Sequence, residues 1–227
     1  MTEFPTGTLT FLFTDIEGST RLWAADSDAM SASLAMHDEI VRSSIESRNG
    51  YVFTTAGDAF CAAFQRASDA VSAAEEAQVR LAHARWPGPE LRVRMGLHLG
   101  EAEERGGDYF GPALNTTARV EAAGHGGQVL LTAGVRATAP TSGISLGMHR
   151  LRDVGEALEI WQLGDTEFPA LRSESERSNL PLPPTRLIGR VDDVRAVRAL
   201  LAEHRLVTLA AVGGIGKTRL AIAVGDH

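Results

Sequence analysis

Residues 8–20 read TLTFLFTDIEGST. From Thr8 to Thr14 every residue is β-branched, aromatic or leucine, the composition of a strand. The run stops at Asp15, and Asp15-Ile16-Glu17-Gly18-Ser19-Thr20 has the chemistry of a turn that opens a helix. A carboxylate delivered by a strand to the mouth of a helix is a geometry on which chemistry can be built.

Outward from this strand, Met30, Leu34, Ile40, Val41 and Ile45 fall at helical spacing within Ala29–Arg48, and Asn49-Gly50 closes that helix. Tyr51–Thr54 and Ala59–Phe64, joined through Ala56-Gly57-Asp58, predict a hairpin. Ser68–Ala84 predicts an alanine-rich helix stopped by Trp86-Pro87-Gly88. Leu91, Val93, Met95, Leu97 and Leu99 alternate with polar or small residues, so Leu91–Leu99 is a half-buried strand. Pro112–Ala123 is a helix with proline in its first turn and Gly124 past its end; Val129–Leu131, Ile144–Leu146 and Leu158–Leu163 are later strands. The order β-α-β-β-α-β predicts an α+β fold of ferredoxin-like type, an antiparallel sheet with helices on one face.

The chain has 227 residues, 44% apolar, enough for one or two domains with a real core. No signal segment or apolar stretch of membrane-spanning length is present, and a lone Cys61 excludes an internal disulfide and a cysteine zinc site. The net charge of −7 argues against a nucleic-acid surface, so a cytoplasmic protein with no membrane and no nucleic-acid partner is expected. The charge divides unevenly: −9 over residues 1–165 and +2 over 166–227. Between them, Phe168–Thr185 carries serines and the prolines Pro181, Pro183 and Pro184, which predicts a linker over 166–185. Of 22 basic residues, 21 are Arg and the single lysine is Lys217.

Asp15 ends the first strand and Asp58 sits at the hairpin tip, so in this fold the two carboxylates converge at one end of the sheet. Paired carboxylates suit hard, oxygen-liganded Mg²⁺ or Mn²⁺. Beside them, the backbone of Ile16–Thr20 at a helix start offers a cradle for phosphates, and together these fit two-metal phosphoryl transfer. On the residues alone, Asp15 as a helix cap and Gly57-Asp58 as a plain turn fit equally well. His98, within a strand, reads as structural.

Three blocks stand in order: residues 13–20, FTDIEGST; residues 57–60, GDAF; and residues 108–119, DYFGPALNTTAR. They resemble the three signature blocks of class III nucleotidyl cyclases, above all soluble actinobacterial ones, and the likeness spans residues 6–165. The resemblance implies the class III cyclase fold and the roles that follow. Asp15 and Asp58, with the Ile16 carbonyl, would bind two Mg²⁺ or Mn²⁺ ions per site; Glu17, Gly18, Ser19 and Thr20 would hold the triphosphate. Asn115 and Arg119, four apart on one helix face, would orient the ribose and stabilise charge on the α-phosphate, and Asp108 would accept from the adenine amino group. The metal residues would come from one subunit and Asp108, Asn115 and Arg119 from the other, in a head-to-tail homodimer that turns ATP into 3′,5′-cyclic AMP and pyrophosphate.

One position departs. Adenylate-specific members carry Lys four residues before the second metal Asp; here it is Thr54, and residues 1–216 contain no lysine to replace it. Guanylate-type members usually place an acid there. A weak or purine-relaxed cyclase, using ATP and possibly GTP, is the expectation; a catalytically inactive, dimerising regulatory module is the alternative.

Leu206–Val212 followed by Gly213-Gly214-Ile215-Gly216-Lys217-Thr218 resembles a strand, a P-loop and a helix start, as in NTPase modules fused to actinobacterial cyclases. Ala211 stands where that pattern wants glycine, and no second acidic motif follows. Residues 186–227 are therefore expected to be a truncated, vestigial P-loop fragment.

Overall fold

The alternation of the opening strand decides what each face of the sheet buries. The computed structural model describes residues 4–139, 141–173, 189–212 and 215–225. In it, β1 (Thr8–Ile16) lies between β3 (Ala59–Phe64) and β4 (Val93–Glu101), antiparallel to both. β2 (Tyr51–Ala56) pairs with β3 at one edge, while β7 (Val129–Thr132), β9 (Leu158–Leu163) and β8 (Gly143–His149) extend the sheet beyond β4. The order is β2-β3-β1-β4-β7-β9-β8, and a separate ribbon pairs β5 (Glu103–Arg105) with β6 (Asp108–Phe110).

Five helices serve this sheet: α1 (Ser19–Ala25), α2 (Ser27–Glu46), α3 (Ala67–Ala82), α4 (Pro112–Ala123) and α5 (Ala133–Thr138). Leu12 and Ile16 of β1 and Val93, Met95 and Leu97 of β4 are buried with Met30, Val41, Ile45, Ala73, Ala74 and Ala77 of α2 and α3. Each large apolar side chain so buried contributes roughly 1.5–3 kcal/mol. Leu9 and Phe11, on the opposite face of β1, join Ala63, Tyr109 and Ala113.

The expectation that all helices cover one face is corrected here, because Ala113 belongs to α4. That helix lies on the other face, drawn close by two glycines of β4. A Cβ at Gly96 would stand 2.4 Å from the Glu121 amide nitrogen, and one at Gly100 would stand 2.8 Å from Ala113 Cβ. The sheet is also not wholly antiparallel: β4 and β7 run parallel, with Met95 opposite Val129 and Leu97 opposite Leu131. A chain that leaves β4, crosses one face through α4 and returns beside β4 must arrive parallel. The single helix expected over 29–48 is preceded by α1, and Asp26 separates the two by accepting from the Ala29 amide at 2.9 Å.

Beyond β9, the first part of the stretch read as a linker packs on the domain. Leu171 is buried against Val120, Ala123, Leu130 and Ile160, and the Arg172 amide donates to the Ala123 carbonyl at 2.9 Å. Residues 174–185 of that stretch, Pro181, Pro183 and Pro184 among them, lie outside the described residues. Further on come α6 (Val191–Glu203) and α7 (Lys217–Gly225). The strand that Leu206–Val212 resembles is not formed: Leu206 is 82% and Val212 75% exposed, and among the described residues no strand pairs with this stretch. Among the described residues no helix is long and apolar enough to cross a membrane.

Candidate active site

The antiparallel registers bring both expected metal carboxylates to one end of the sheet. Thr14 sits opposite Phe60, so Asp15 leaves β1 where the β2–β3 turn carries Asp58. Thr14 Oγ1 accepts from the Phe60 amide at 3.2 Å and ties the two segments together. Burial holds the imidazole of His37 on α2 below its ordinary range, against the charges of Asp38, Asp58 and Asp15, which favour its protonation. His37 Nδ1 lies 2.9 Å from Asp38 Oδ1, and its ring meets Phe60 edge-on at 5.8 Å.

The carboxylates differ in what they already hold. Asp58 Oδ2 is buried and has no hydrogen-bond partner among the described residues. An orphaned buried carboxylate oxygen is costly in a finished protein unless something else meets it, and a hard cation is what suits it. Asp15 is instead engaged by Arg94, whose Nε and Nη2 donate to Asp15 Oδ2 at 3.0 and 2.5 Å. No group of three or more His, Cys, Asp or Glu side chains forms a metal cage among the described residues. Two carboxylates and the Ile16 carbonyl fit a cation that keeps water or phosphate oxygens as its remaining ligands.

The loop after Asp15 turns at Gly18, whose φ of 72° is the left-handed region that glycine tolerates best. Gly18 precedes α1, and Ser19 and Thr20 are its first residues. Glu17 is tied elsewhere: its amide donates to the Arg92 carbonyl at 2.9 Å, Oε2 accepts from the Gly126 amide at 3.1 Å, and Oε1 meets the Arg172 guanidinium. Burial resists ionisation of Glu17, yet Arg172 and the Gly126 amide together hold its carboxyl below the ordinary value.

Thr54 and Asp108, which are 54 residues apart, meet within one chain. Thr54 Oγ1 donates to Asp108 Oδ1 at 3.5 Å, and the Tyr109 amide donates to the same oxygen at 2.8 Å. Cys61, opposite Thr54 on β3, has its thiol pushed up to about 12 by burial and by Glu121 and Asp108.

Asn115 and Arg119 are brought to the outer side of α4, opposite the buried Ala113, Thr117 and Val120. Asn115 is exposed, and Arg119 Nη2 donates to Asp153 Oδ2 at 2.6 Å. The P-loop motif is only partly seen, since Gly213 and Gly214 lie outside the described residues. Gly216 adopts φ 89°, and Thr218 lies in the first turn of α7. Lys217 Nζ donates to the Ala211 and Val212 carbonyls at 2.8 and 2.9 Å.

Four residues of this region escaped the sequence reading: Arg94, Glu121, Arg172 and Asp153. Arg94 carried a readable signal, because it is a charge on the non-apolar side of the alternating strand. Glu121 carried another, a carboxylate on the helix stripe shared with Ala113, Thr117 and Val120. Burial pushes the Glu121 carboxyl up to about 7, further than Arg94 pulls it down.

Comparison with known proteins agrees with this geometry. Residues 1–150 match the family described as the adenylate and guanylate cyclase catalytic domain. An uncharacterised protein of Mycobacterium tuberculosis is 38% identical over 200 residues, covering 82% of this chain and 68% of its own length. A receptor-type adenylate cyclase of Trypanosoma brucei brucei is 33% identical over 229 residues, 77% of this chain but 18% of that protein. Adenylate cyclases of Trypanosoma brucei solved in their monomeric state superpose with a TM-score of 0.70 at 30% identity, over 75% of this chain and 96% of theirs. The guanylate cyclase domain of RhGC from Catenaria anguillulae, solved with GTP, shares the fold at 18% identity and a TM-score of 0.63, over 70% of this chain and 97% of its own. By its signature blocks, its sheet and these matches, the chain belongs to the adenylate and guanylate cyclase catalytic-domain family.

Proposed function

We propose that this chain cyclises a purine nucleoside triphosphate, ATP before GTP, to the 3′,5′-cyclic monophosphate and pyrophosphate, at a site completed by a second copy of itself. The observation that carries the reading is the orphaned Asp58 Oδ2 at the sheet end where Asp15 also emerges. The relatives named adenylate cyclases support the same substrate class.

Asp15, Asp58 and the Ile16 carbonyl would hold two Mg²⁺ or Mn²⁺ ions, which when bound neutralise phosphate charge and acidify the ribose 3′-hydroxyl. Gly18, Ser19 and Thr20 offer backbone N–H groups to the triphosphate, while Glu17 braces the loop from behind through Arg172 and Gly126. The 3′-oxygen bonds to the α-phosphorus as the bond to the bridging oxygen breaks; the hydroxyl proton leaves to solvent and pyrophosphate departs. Asn115 holds the ribose, and Arg119 stabilises the charge that builds on the α-phosphate. Arg119 must first leave Asp153, an exposed pair that costs no more than about 1 kcal/mol to open. Asp108 accepts from the purine amino group, with Thr54 as a weak neutral neighbour in place of a cation.

The catalytic unit spans 1–165 together with the segment through Ser173 that packs on it, and a P-loop-like fragment spans 186–227. Lys217, bound to two carbonyls, is given no part in the reaction. One observation favours a second reading, a silent dimerising module: the partner that position 54 gives Asp108 is a neutral hydroxyl. Product analysis separates the two. The chain with Mn²⁺ and ATP yields cyclic AMP and pyrophosphate in equal amounts, and Asp15→Asn yields neither. Absence of cyclic product with both ATP and GTP sinks the enzymatic reading.

A further inference from the structure

The cyclase reading asks Asp15 to bind a cation, yet Asp15 already has one. In the β1–β4 register Asp15 lies directly opposite Arg94. Arg94 places Nε and Nη2 at 3.0 and 2.5 Å from the same oxygen, Asp15 Oδ2. The guanidinium has a second carboxylate in reach: its Nε stands 2.6 Å from Glu121 Oε1, and Nη1 donates to the Ala122 carbonyl at 3.4 Å. One cation is thus stretched between two acids, Asp15 on β1 and Glu121 on the last turn of α4. All three are largely buried, with side chains 26, 20 and 11% exposed for Asp15, Arg94 and Glu121.

The arrangement is built by the backbone. Gly96, two residues along β4 from Arg94, lets α4 approach until Glu121 sits over the strand; any Cβ there would meet the Glu121 amide. Meanwhile Asp58, the other expected ligand, keeps its Oδ2 without a partner. The two carboxylates are therefore prepared differently: one is open and one is plugged.

A dication and a guanidinium on one carboxylate oxygen repel strongly at this depth, where water screens poorly. We propose that Arg94 is a resident counter-cation which a divalent metal must displace from Asp15, and that Glu121 is the acceptor that receives its guanidinium. This rests on the cyclase reading and adds to it a gate on metal entry. The guanidinium has a carboxylate at either end of the exchange: without metal its Nε and Nη2 donate to Asp15 while Glu121 Oε1 stands close by and accepts no hydrogen bond, and with metal it turns to Glu121. Metal alone then binds weakly, and Arg94 and Glu121 act as positioning residues with opposite effects on affinity.

The test uses the full chain and Mn²⁺ alone, with free ion followed by its electron paramagnetic resonance signal and folding checked by circular dichroism. Asp15→Asn removes the site. Arg94→Gln binds Mn²⁺ at least tenfold more tightly than the parent, and Glu121→Gln binds it at least fivefold more weakly. In the double variant Arg94→Gln/Glu121→Gln, the Glu121 effect shrinks to within twofold, because there is no guanidinium left to receive; a simple additive field would leave it unchanged. Unchanged or weaker binding by Arg94→Gln overturns the exchange, as does a Glu121 effect that survives in the double variant. If Arg94→Gln does not fold, Arg94→Met takes its place in the same cycle and is read by the same two outcomes. If the parent and Asp15→Asn titrate alike, the metal-site reading itself fails and the exchange falls with it. If only Asp15→Asn behaves as expected, the exchange alone is refuted.

Discussion

Substituting Thr54 by lysine puts a charge where the structure shows a marginal contact. Thr54 Oγ1 and Asp108 Oδ1 are 3.5 Å apart, the outer limit of a hydrogen bond, so the existing pair contributes little. Asp108 is nevertheless well oriented, because the Tyr109 amide fixes the same carboxylate at 2.8 Å. An ammonium at position 54 would pair with Asp108 and donate to the unprotonated N1 of adenine, while guanine presents a protonated N1 to it. A hydrogen bond to a charged group is worth about 1.5–3 kcal/mol, and an unmatched donor costs a similar amount. The ratio of kcat/KM for ATP over GTP should therefore rise about 10–150-fold in Thr54→Lys. The assay separates cyclic products from both nucleotides under Mn²⁺. Asp108→Ala in the Thr54→Lys background should return most of the gain, since the ammonium then loses its anchor. A ratio that changes less than threefold, or moves toward GTP, refutes the assignment of Thr54 and Asp108 to the purine.

Other consequences are open to direct measurement. Arg172→Ala removes the partner that holds the Glu17 carboxyl low, a partly exposed pair worth at most about 1 kcal/mol. A depressed carboxyl stabilises the fold above its unfolded value of 4.5, so the melting-temperature gap between parent and variant should be full at neutral pH. The gap should close as the pH falls through and below 4.5; one that widens in acid contradicts the pairing. Gly96→Ala drives a Cβ to 2.4 Å from backbone and should cost about 3 kcal/mol, the upper end for overpacking, because no side chain can yield. Urea denaturation midpoints measure this, and an unchanged midpoint would show that α4 does not lie where described. Cys61, its thiol pushed up to about 12, should resist alkylation at pH 8 in the folded chain and react freely in denaturant.

What could be read ahead of the structure was whatever depends on local pattern. The strand Thr8–Thr14, the hairpin around Gly57-Asp58 and helix Pro112–Ala123 follow from β-rich composition, turn residues and a proline–glycine bracket; all three are present, the strand running on to Ile16. The side of the sheet that α4 covers was not legible as read. It depends on the bare backbone at Gly96 and Gly100, and a glycine in a strand signals close approach without saying of what. The parallel β4–β7 pair escaped for a related reason, since the direction of a short strand such as Val129–Thr132 comes from its connection and not from its composition. Within the site, Asp15 and Asp58 were visible because turns display them. Arg94 and Glu121 become neighbours of Asp15 only through strand register and helix docking, which link residues 79 apart in the first case.

The central claim is a catalytic site divided between two copies, with Asp15 and Asp58 from one and Asn115 and Arg119 from the other. Mixing two inactive variants tests it most directly. Asp15→Asn and Arg119→Ala are each expected to form no cyclic nucleotide alone. Mixed in equal amounts and allowed to exchange, half of the dimers pair one of each and hold one intact site of two, so about a quarter of the parental activity should return. A mixture as silent as its components, or full activity in either variant alone, would contradict the account.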